Sequence, residues 1–220
     1  MVEMNRRKLL GTAAGAAGAA AVAGAALTPA AQAAAKFGAT GASAPVGPHP
    51  HVFSLTKAKP NTFSGGDLRG AHEEDFPILK GQNASVYMIH LDVDGVREPH
   101  WHPTAWELTY VMSGKVRWTI LGAHPTGKYE VDSFTAETGD LVFIPQGFFH
   151  YFENASSTER LQVLVLFNTS SVEPNDDIGI VGSLNAIPRD VLGAVFGVPA
   201  SAFHGIPTEV KPVVIAKKKR

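Results

Sequence analysis

Four side chains in two short stretches of the sequence are of types that bind divalent metal ions: three histidines and one glutamate, at His100, His102, Glu107 and His150. The first three follow H-x-H-x4-E spacing, and the fourth lies in a later run of the form G-x5-P-x-G-x2-H-x3-N. Three imidazoles and one carboxylate suit Mn(II) or Fe(II). Because alternate residues of a strand share a face, His100 and His102 can coordinate one ion.

Short β-strands are the elements that the sequence favours around these ligands. Glu107 would return on a strand after a turn at Pro103, and His150 would come from a later strand beyond the Pro145–Gly147 turn. Apolar alternation interrupted by turn residues predicts a sandwich or barrel. The predicted strands are Val52–Leu55, Ser85–Leu91, Trp106–Val111, Lys115–Leu121, Leu141–Ile144, His150–Glu153 and Leu161–Phe167. Helical spacing predicts a helix at Pro188–Phe196 and a second short one at Pro199–Phe203.

Composition bounds the class of protein. The chain has 220 residues, a formal net charge of −1 and no cysteine. Its length and the absence of an internal repeat predict one domain. The near-neutral charge gives no indication of a nucleic-acid or anionic-membrane partner. Without cysteine, disulfides and thiolate metal ligands are excluded.

The N-terminus predicts export. Residues 5–10 read NRRKLL, a twin-arginine signature, and an uncharged Ala/Gly-rich run follows with a small-x-small cleavage pattern at residues 31–33. A transmembrane anchor is the competing interpretation, but alanine and glycine contribute little to membrane insertion. We therefore expect a signal peptide over residues 1–33, a flexible linker over 34–50 and a periplasmic or secreted protein with no membrane contact after cleavage. The single domain covers 51–220, with C-terminal helices at about 181–206 and a solvated basic tail.

The two metal-ligand stretches together resemble the cupins. Both motifs of that family are present in order, with one departure: four residues, and not five, separate Gly95 from His100. The REPHWHP segment and the region after Phe167 are similar to the oxalate decarboxylase and germin group. The resemblance covers roughly Phe53 to the C-terminus. It implies an all-β, antiparallel double-stranded β-helix, the jelly-roll barrel, as a single cupin unit that forms a homo-oligomer.

The same resemblance implies roles for two further residues. Arg97 would bind a substrate carboxylate, and Glu173, in a lid-like loop, would relay a proton. Arg97 and His100 differ by an odd number, so both can face the site only if the strand has a bulge, which Pro99 favours. The alternatives are a surface arginine that pairs with Glu98 or Asp94, and an ordinary acidic loop.

The resemblance to the oxalate decarboxylase and germin group also implies a metal and a set of candidate activities. Manganese is the first metal that it implies, iron the alternative, and zinc and nickel stay open. The leading hypothesis is an enzyme acting on a small carboxylate such as oxalate, as a decarboxylase (lyase) or an oxidase (oxidoreductase), with O2 as a candidate second partner. The alternatives are a germin-like manganese superoxide dismutase, a non-enzymatic binding or storage cupin, and a cupin that has lost its metal. We expect Phe149 to line the metal pocket, whereas His49 and His51 form a surface H-x-H without a following glutamate.

Overall fold

The structure is a computed structural model that describes residues 49–123 and 127–219. The predicted signal peptide and nearly all of the predicted linker lie outside these residues. In chain order the strands are β1 (Asn61–Phe63), β2 (Gly66–Ala71), β3 (Ser85–Leu91), β4 (Gly95–Trp101), β5 (Glu107–Ser113), β6 (Lys115–Ala123), β7 (Tyr129–Glu137), β8 (Leu141–Ile144), β9 (Phe149–Asn154), β10 (Leu161–Phe167), β11 (Ile178–Gly179) and β12 (Ile215–Lys217). The helices are α1 (Ile180–Ala186) and α2 (Arg189–Phe196), and 3-10 turns lie at Leu55–Lys57, Pro77–Leu79, Glu173–Asn175 and Ala200–Phe203.

The strands form two antiparallel sheets. One has the order β1-β2-β3-β10-β5-β8, and the other has the order β11-β4-β9-β6-β7, with β12 also paired to β4. A single hydrophobic cluster draws residues from both sheets, so the core lies between them. Strand β10 illustrates how one face of a strand contributes to this core. Its alternate residues Leu161, Val163, Val165 and Phe167 are all buried, whereas the residues between them are more exposed. The all-β prediction with short C-terminal helices is confirmed.

One predicted strand is wrong. Val52–Leu55 does not pair with a neighbour; the chain there enters the 3-10 turn Leu55–Lys57, where the N–H groups of Lys57 and Ala58 donate to Ser54 O at 2.9 and 3.1 Å. Its apolar residues indicated a strand, but these local hydrogen bonds occupy the backbone groups that a strand would use.

Strand β4 is the element on which the metal-ligand motif depends. It pairs with β9 on one edge, and with both β11 and β12 along the other. Against β9 its register shifts between Arg97 and His100, so β4 carries one extra residue there. The β-bulge that the sequence requires for Arg97 is therefore present, and Pro99 lies within it.

The C-terminal end of the chain pairs with β4 through β12, while Lys217, Lys218 and Lys219 of the predicted basic tail are exposed. Ile215–Lys217 forms β12, in which Ile215 pairs with Arg97. Lys218 donates from its backbone to Asp94 O at 2.9 Å and from Nζ to Glu153 Oε2 at 2.6 Å. The physical reason is burial: Val213 and Ile215 are 0% and 1% exposed and hold the strand against the barrel. No helix within the described parts of the chain is long and apolar enough to cross a bilayer.

Ile215→Ala tests whether β12 contributes to stability. Ile215 is almost fully buried, so truncation should lower the free energy of unfolding by about 2–5 kcal/mol. The matched control is Ile187→Ala, since Ile187 is 39% exposed between α1 and α2; its cost should be within about 1 kcal/mol. Urea denaturation measures both. Equal costs for the two variants would contradict a packed β12.

Candidate metal centre

The four predicted ligands come together between the sheets. His100 in β4 and His150 in β9 are paired directly across their strands, and Glu107 begins β5 in the facing sheet. His102 lies one residue beyond the end of β4, in the connection to β5. All four side chains are buried, and one candidate ligand atom from each lies within 4.8 Å of the others. The cluster therefore has the residue types and the proximity of a single-ion site.

Backbone carbonyls fix the orientation of all three rings. His100 Nδ1 lies 2.6 Å from Glu98 O, His102 Nδ1 lies 3.0 Å from Asp176 O, and His150 Nδ1 lies 2.9 Å from Phe148 O. A carbonyl oxygen only accepts, so each Nδ1 carries the proton and donates it. Each Nε2 is then left with its lone pair, which is the form of imidazole that ligates a metal ion.

Glu107 supplies the negative charge of the cluster. Its Oε2 lies 3.1 Å from His150 Nε2 and 3.5 Å from His102 Nε2, while Oε1 accepts a hydrogen bond of 2.6 Å from Thr109. Burial works against the ionised form, but the neighbouring imidazoles of His102 and His150 hold the pKa of Glu107 well below its usual range. The carboxylate is consequently anionic and oriented by Thr109.

The donor set fits a divalent cation. Burial, followed by the charges of Arg97, His150 and His102, lowers the pKa of His100 well below its usual value, so this ring is neutral and free to ligate. His102 Nε2 has no hydrogen-bond partner among residues 49–123 and 127–219. A buried nitrogen lone pair beside an anionic carboxylate is satisfied by a metal ion of the kind that imidazole and carboxylate ligands bind.

Arg97 lies within the barrel beside this cluster. Its side chain is fully buried, because the bulge in β4 turns it to the same side as His100. Nη2 donates to Glu173 Oε1 at 3.2 Å and also pairs with Asp177 Oδ2. Burial alone would lower the pKa of Arg97, but the Asp177 and Glu173 carboxylates keep it above its ordinary value. The guanidinium thus stays charged in a buried site.

The loop after β10 brings Glu173 to the same place. Glu173 begins a 3-10 turn, is 3% exposed, and donates its backbone N–H to the Tyr87 hydroxyl at 2.6 Å. Burial raises the pKa of Glu173 to about 7; Arg97 opposes this effect and Asp177 adds to it. One oxygen of Glu173, one of Asp177 and a ring nitrogen of His100 lie within 4.8 Å of one another.

Asp177 is a site residue that the sequence did not single out. It lies four residues after the predicted lid glutamate in the same loop, but its ion pair with Arg97 joins residues 80 positions apart. The acidic residues of this loop were the only feature of the sequence that could have indicated a role for Asp177.

The prediction for Phe149 is wrong. Strand alternation turns its ring away from His150 and towards Trp101, with ring centroids 5.9 Å apart. Phe167 and Trp118 lie against the ligands instead, with centroids 4.6 Å from His102 and 6.0 Å from His150. His49 and His51 are exposed and do not belong to the ligand cluster.

Comparison with known proteins identifies the family. The family model described as Cupin matches residues 53–202. The chain belongs to the cupin family. Its two antiparallel sheets therefore form the jelly-roll barrel that the motifs predicted, and the resemblance to the oxalate decarboxylase and germin group is confirmed by the relatives of this cupin.

Relatives of this cupin include enzymes that act on oxalate. A probable oxalate decarboxylase of Arthroderma benhamiae is 34% identical over 151 residues, which cover 68% of this chain and 35% of that protein. A structure of Bacillus subtilis oxalate decarboxylase at pH 4.6 superposes with a TM-score of 0.65 and 26% identity, covering 76% of this chain and 41% of that one. Another structure of that enzyme, from work on its Mn(II) centres, gives 0.64.

A germin-like relative matches over a larger share of its own length. Germin-like protein subfamily 2 member 3 of Arabidopsis thaliana is 29% identical over 162 residues, covering 73% of this chain and 71% of that protein. The cupin described here spans less than half the length of the two oxalate decarboxylases it matches.

Glu107→Gln tests the ligand set. The substitution keeps the shape of the side chain but removes the one carboxylate among the four ligands, so manganese affinity should fall at least about tenfold. Titration calorimetry and elemental analysis after dialysis measure the loss. Glu74→Gln, at an exposed position, is the matched control and should retain the metal. Equal retention by both variants would contradict the assignment.

Proposed function

We propose that this protein is an exported, manganese-dependent cupin enzyme that acts on a small carboxylate, with oxalate as the first candidate substrate and iron as the alternative metal. The observation that carries the proposal is a fully buried arginine beside a buried cluster of three histidines and one glutamate. A single-ion site next to a fixed guanidinium suits a small anion that bridges the two.

Arg97 would bind and orient the substrate. Nε and Nη1 of its guanidinium are buried and have no hydrogen-bond partner within the described chain. A planar guanidinium with two free donors suits a substrate carboxylate, and its position in β4 is held from both edges of the strand. A bound manganese ion would supply a Lewis acid and a one-electron carrier for the same substrate.

Glu173 would hold and move the proton. A buried carboxyl group whose pKa is raised to about 7 is partly protonated at neutral pH, as a general acid requires. Decarboxylation of oxalate needs a proton at carbon, where the C–H bond of formate replaces the broken C–C bond, whereas oxidation of oxalate by O2 to CO2 places protons only on the oxygen atoms of peroxide. The fit of Glu173 to that role favours the decarboxylase over the oxidase.

A germin-like manganese superoxide dismutase is the second candidate. The match to a germin-like protein over 71% of its length supports it. Such an activity requires only the metal and open access to it, so it would use neither Arg97 nor Glu173. The carboxylate enzyme is favoured by Nε and Nη1 of Arg97, which are buried without a hydrogen-bond partner among the described residues, because buried donors are normally satisfied by an acceptor.

Export and assembly are part of the same proposal. The twin-arginine signature in residues 1–33 supports export to the periplasm or the medium. A homo-oligomer is supported by the outer face of α2, where Val191, Val195 and Phe196 are 46%, 76% and 61% exposed. A monomer mass in light scattering at micromolar concentration would overturn the oligomer.

Oxalate turnover by the manganese-loaded protein tests the proposed activity. Formate and CO2 should form without peroxide. Glu173→Gln should lower the rate of formate formation at least about a hundredfold while manganese content stays unchanged. Glu209→Gln, at an exposed position, should behave as the unmodified protein.

Other outcomes of that assay identify the alternatives. Peroxide with CO2 indicates an oxidase. Superoxide dismutation without oxalate turnover indicates the germin-like activity, and absence of both indicates a binding or storage cupin. Arg97→Lys keeps the charge but loses the guanidinium fork, so the KM for oxalate should rise; an unchanged KM would show that Arg97 does not bind the substrate.

A further inference from the structure

Arg97 faces two carboxylates, and Asp177 is the second of them. Asp177 lies between the 3-10 turn Glu173–Asn175 and β11, and its side chain is 1% exposed. Its Oδ2 pairs with Arg97 Nη2, the nitrogen that also lies 3.2 Å from Glu173 Oε1. One guanidinium is thus shared by two carboxyl groups before any ligand arrives.

The atoms of Arg97, Glu173 and Asp177 that lack a hydrogen-bond partner indicate a ligand that both accepts and donates hydrogen bonds. Among the residues that the structure describes, no hydrogen-bond partner is present for two donors, Arg97 Nε and Nη1, or for two acceptors, Glu173 Oε2 and Asp177 Oδ1. A pocket that served only to bind carboxylates would present donors alone. This one presents buried acceptors as well, and buried acceptors are satisfied by N–H or O–H groups.

These acceptors lie next to the metal centre. Glu173, Asp177 and His100 each place one oxygen or ring nitrogen within 4.8 Å of the others, and His100 is also a member of the four-ligand cluster. A small acid whose carboxylate bridges the metal centre and Arg97 would therefore have its second functional group close to Glu173 and Asp177.

We propose, building on the proposed action on small carboxylates, that Asp177 determines which charge state of a substrate the site binds. The site selects monoanionic small acids whose second functional group is a neutral hydrogen-bond donor. It disfavours the dianion of a dicarboxylic acid. A second carboxylate at this end of the pocket would face Asp177 in a buried environment, and like charges close together there are strongly unfavourable. An amide, a hydroxyl or a protonated carboxyl group donates instead to the free oxygen of Asp177 or Glu173.

Oxalate and oxamate form the matched pair of ligands for the test. They have nearly the same shape, but oxamate carries an amide donor where oxalate carries its second carboxylate. Titration calorimetry at neutral pH gives the affinity of the manganese-loaded protein for each, and the same titration on aqueous manganese ion gives the intrinsic preference of the metal. We expect the protein to shift the oxalate-to-oxamate affinity ratio towards oxamate, relative to the free ion, by at least about tenfold.

The variant Asp177→Asn removes the charge and keeps the shape, so the affinity ratio should move back towards oxalate by at least about tenfold. Asp190→Asn removes one negative charge from an exposed position on α2 and should leave the ratio unchanged. If Asp177→Asn does not fold, Asp177→Ser provides the second variant, and the comparison of the unmodified protein with free manganese ion needs no variant.

The affinity measurements distinguish a wrong role for Asp177 from a wrong proposed function. A ratio equal to that of free manganese ion, or one that Asp177→Asn leaves unchanged, would overturn the role of Asp177 while small acids still bind. If neither acid binds the manganese-loaded protein, the proposed function itself is wrong, and the role of Asp177 is overturned with it.

Discussion

Between Arg97 and His100, β4 carries one more residue than the strand β9 beside it, and the arrangement of the site depends on that bulge. In a regular strand, residues separated by an odd number point to opposite faces, so a histidine ligand in the barrel would place Arg97 outside. The extra residue at Glu98–Pro99 brings both side chains to the interior. A buried arginine is tolerated there only because the carboxylates of Glu173 and Asp177, which lie in the loop after β10, form ion pairs with it.

That loop contacts both the candidate metal centre and Arg97. The backbone carbonyl of Asp176 accepts from Nδ1 of the ligand His102, and its carboxylate accepts from the Thr104 N–H at 2.9 Å. The next residue, Asp177, pairs with Arg97, and the two residues after it form β11 along the edge of β4. Movement of this segment would therefore disturb a metal ligand and the arginine together.

The sequence alone was sufficient to predict those strands and site residues that are marked by a local pattern of residue types. Spacing alone indicated the four residues that come together in the candidate metal centre, and apolar alternation gave β3, β8 and β10 with the bounds that the structure has. Strand β7 was missed because it is an edge strand, exposed along nearly its whole length, and the apolar alternation of its sequence is broken at Asp132–Ser133. Strand β12 was missed because only Ile215 in it is buried and three lysines follow. Asp177 could not be recognised, because its role arises from a contact between distant parts of the chain.

We propose that one divalent ion is held by the Nε2 atoms of His100, His102 and His150 together with the Glu107 carboxylate. A crystal structure of the manganese-loaded protein, with anomalous scattering measured at the manganese edge, locates the ion. We expect a single anomalous peak per chain, bonded to those four side chains and in reach of Arg97 through a bound small acid. A peak held instead by His100, Glu173 and Asp177, or no peak between the two sheets, would contradict it.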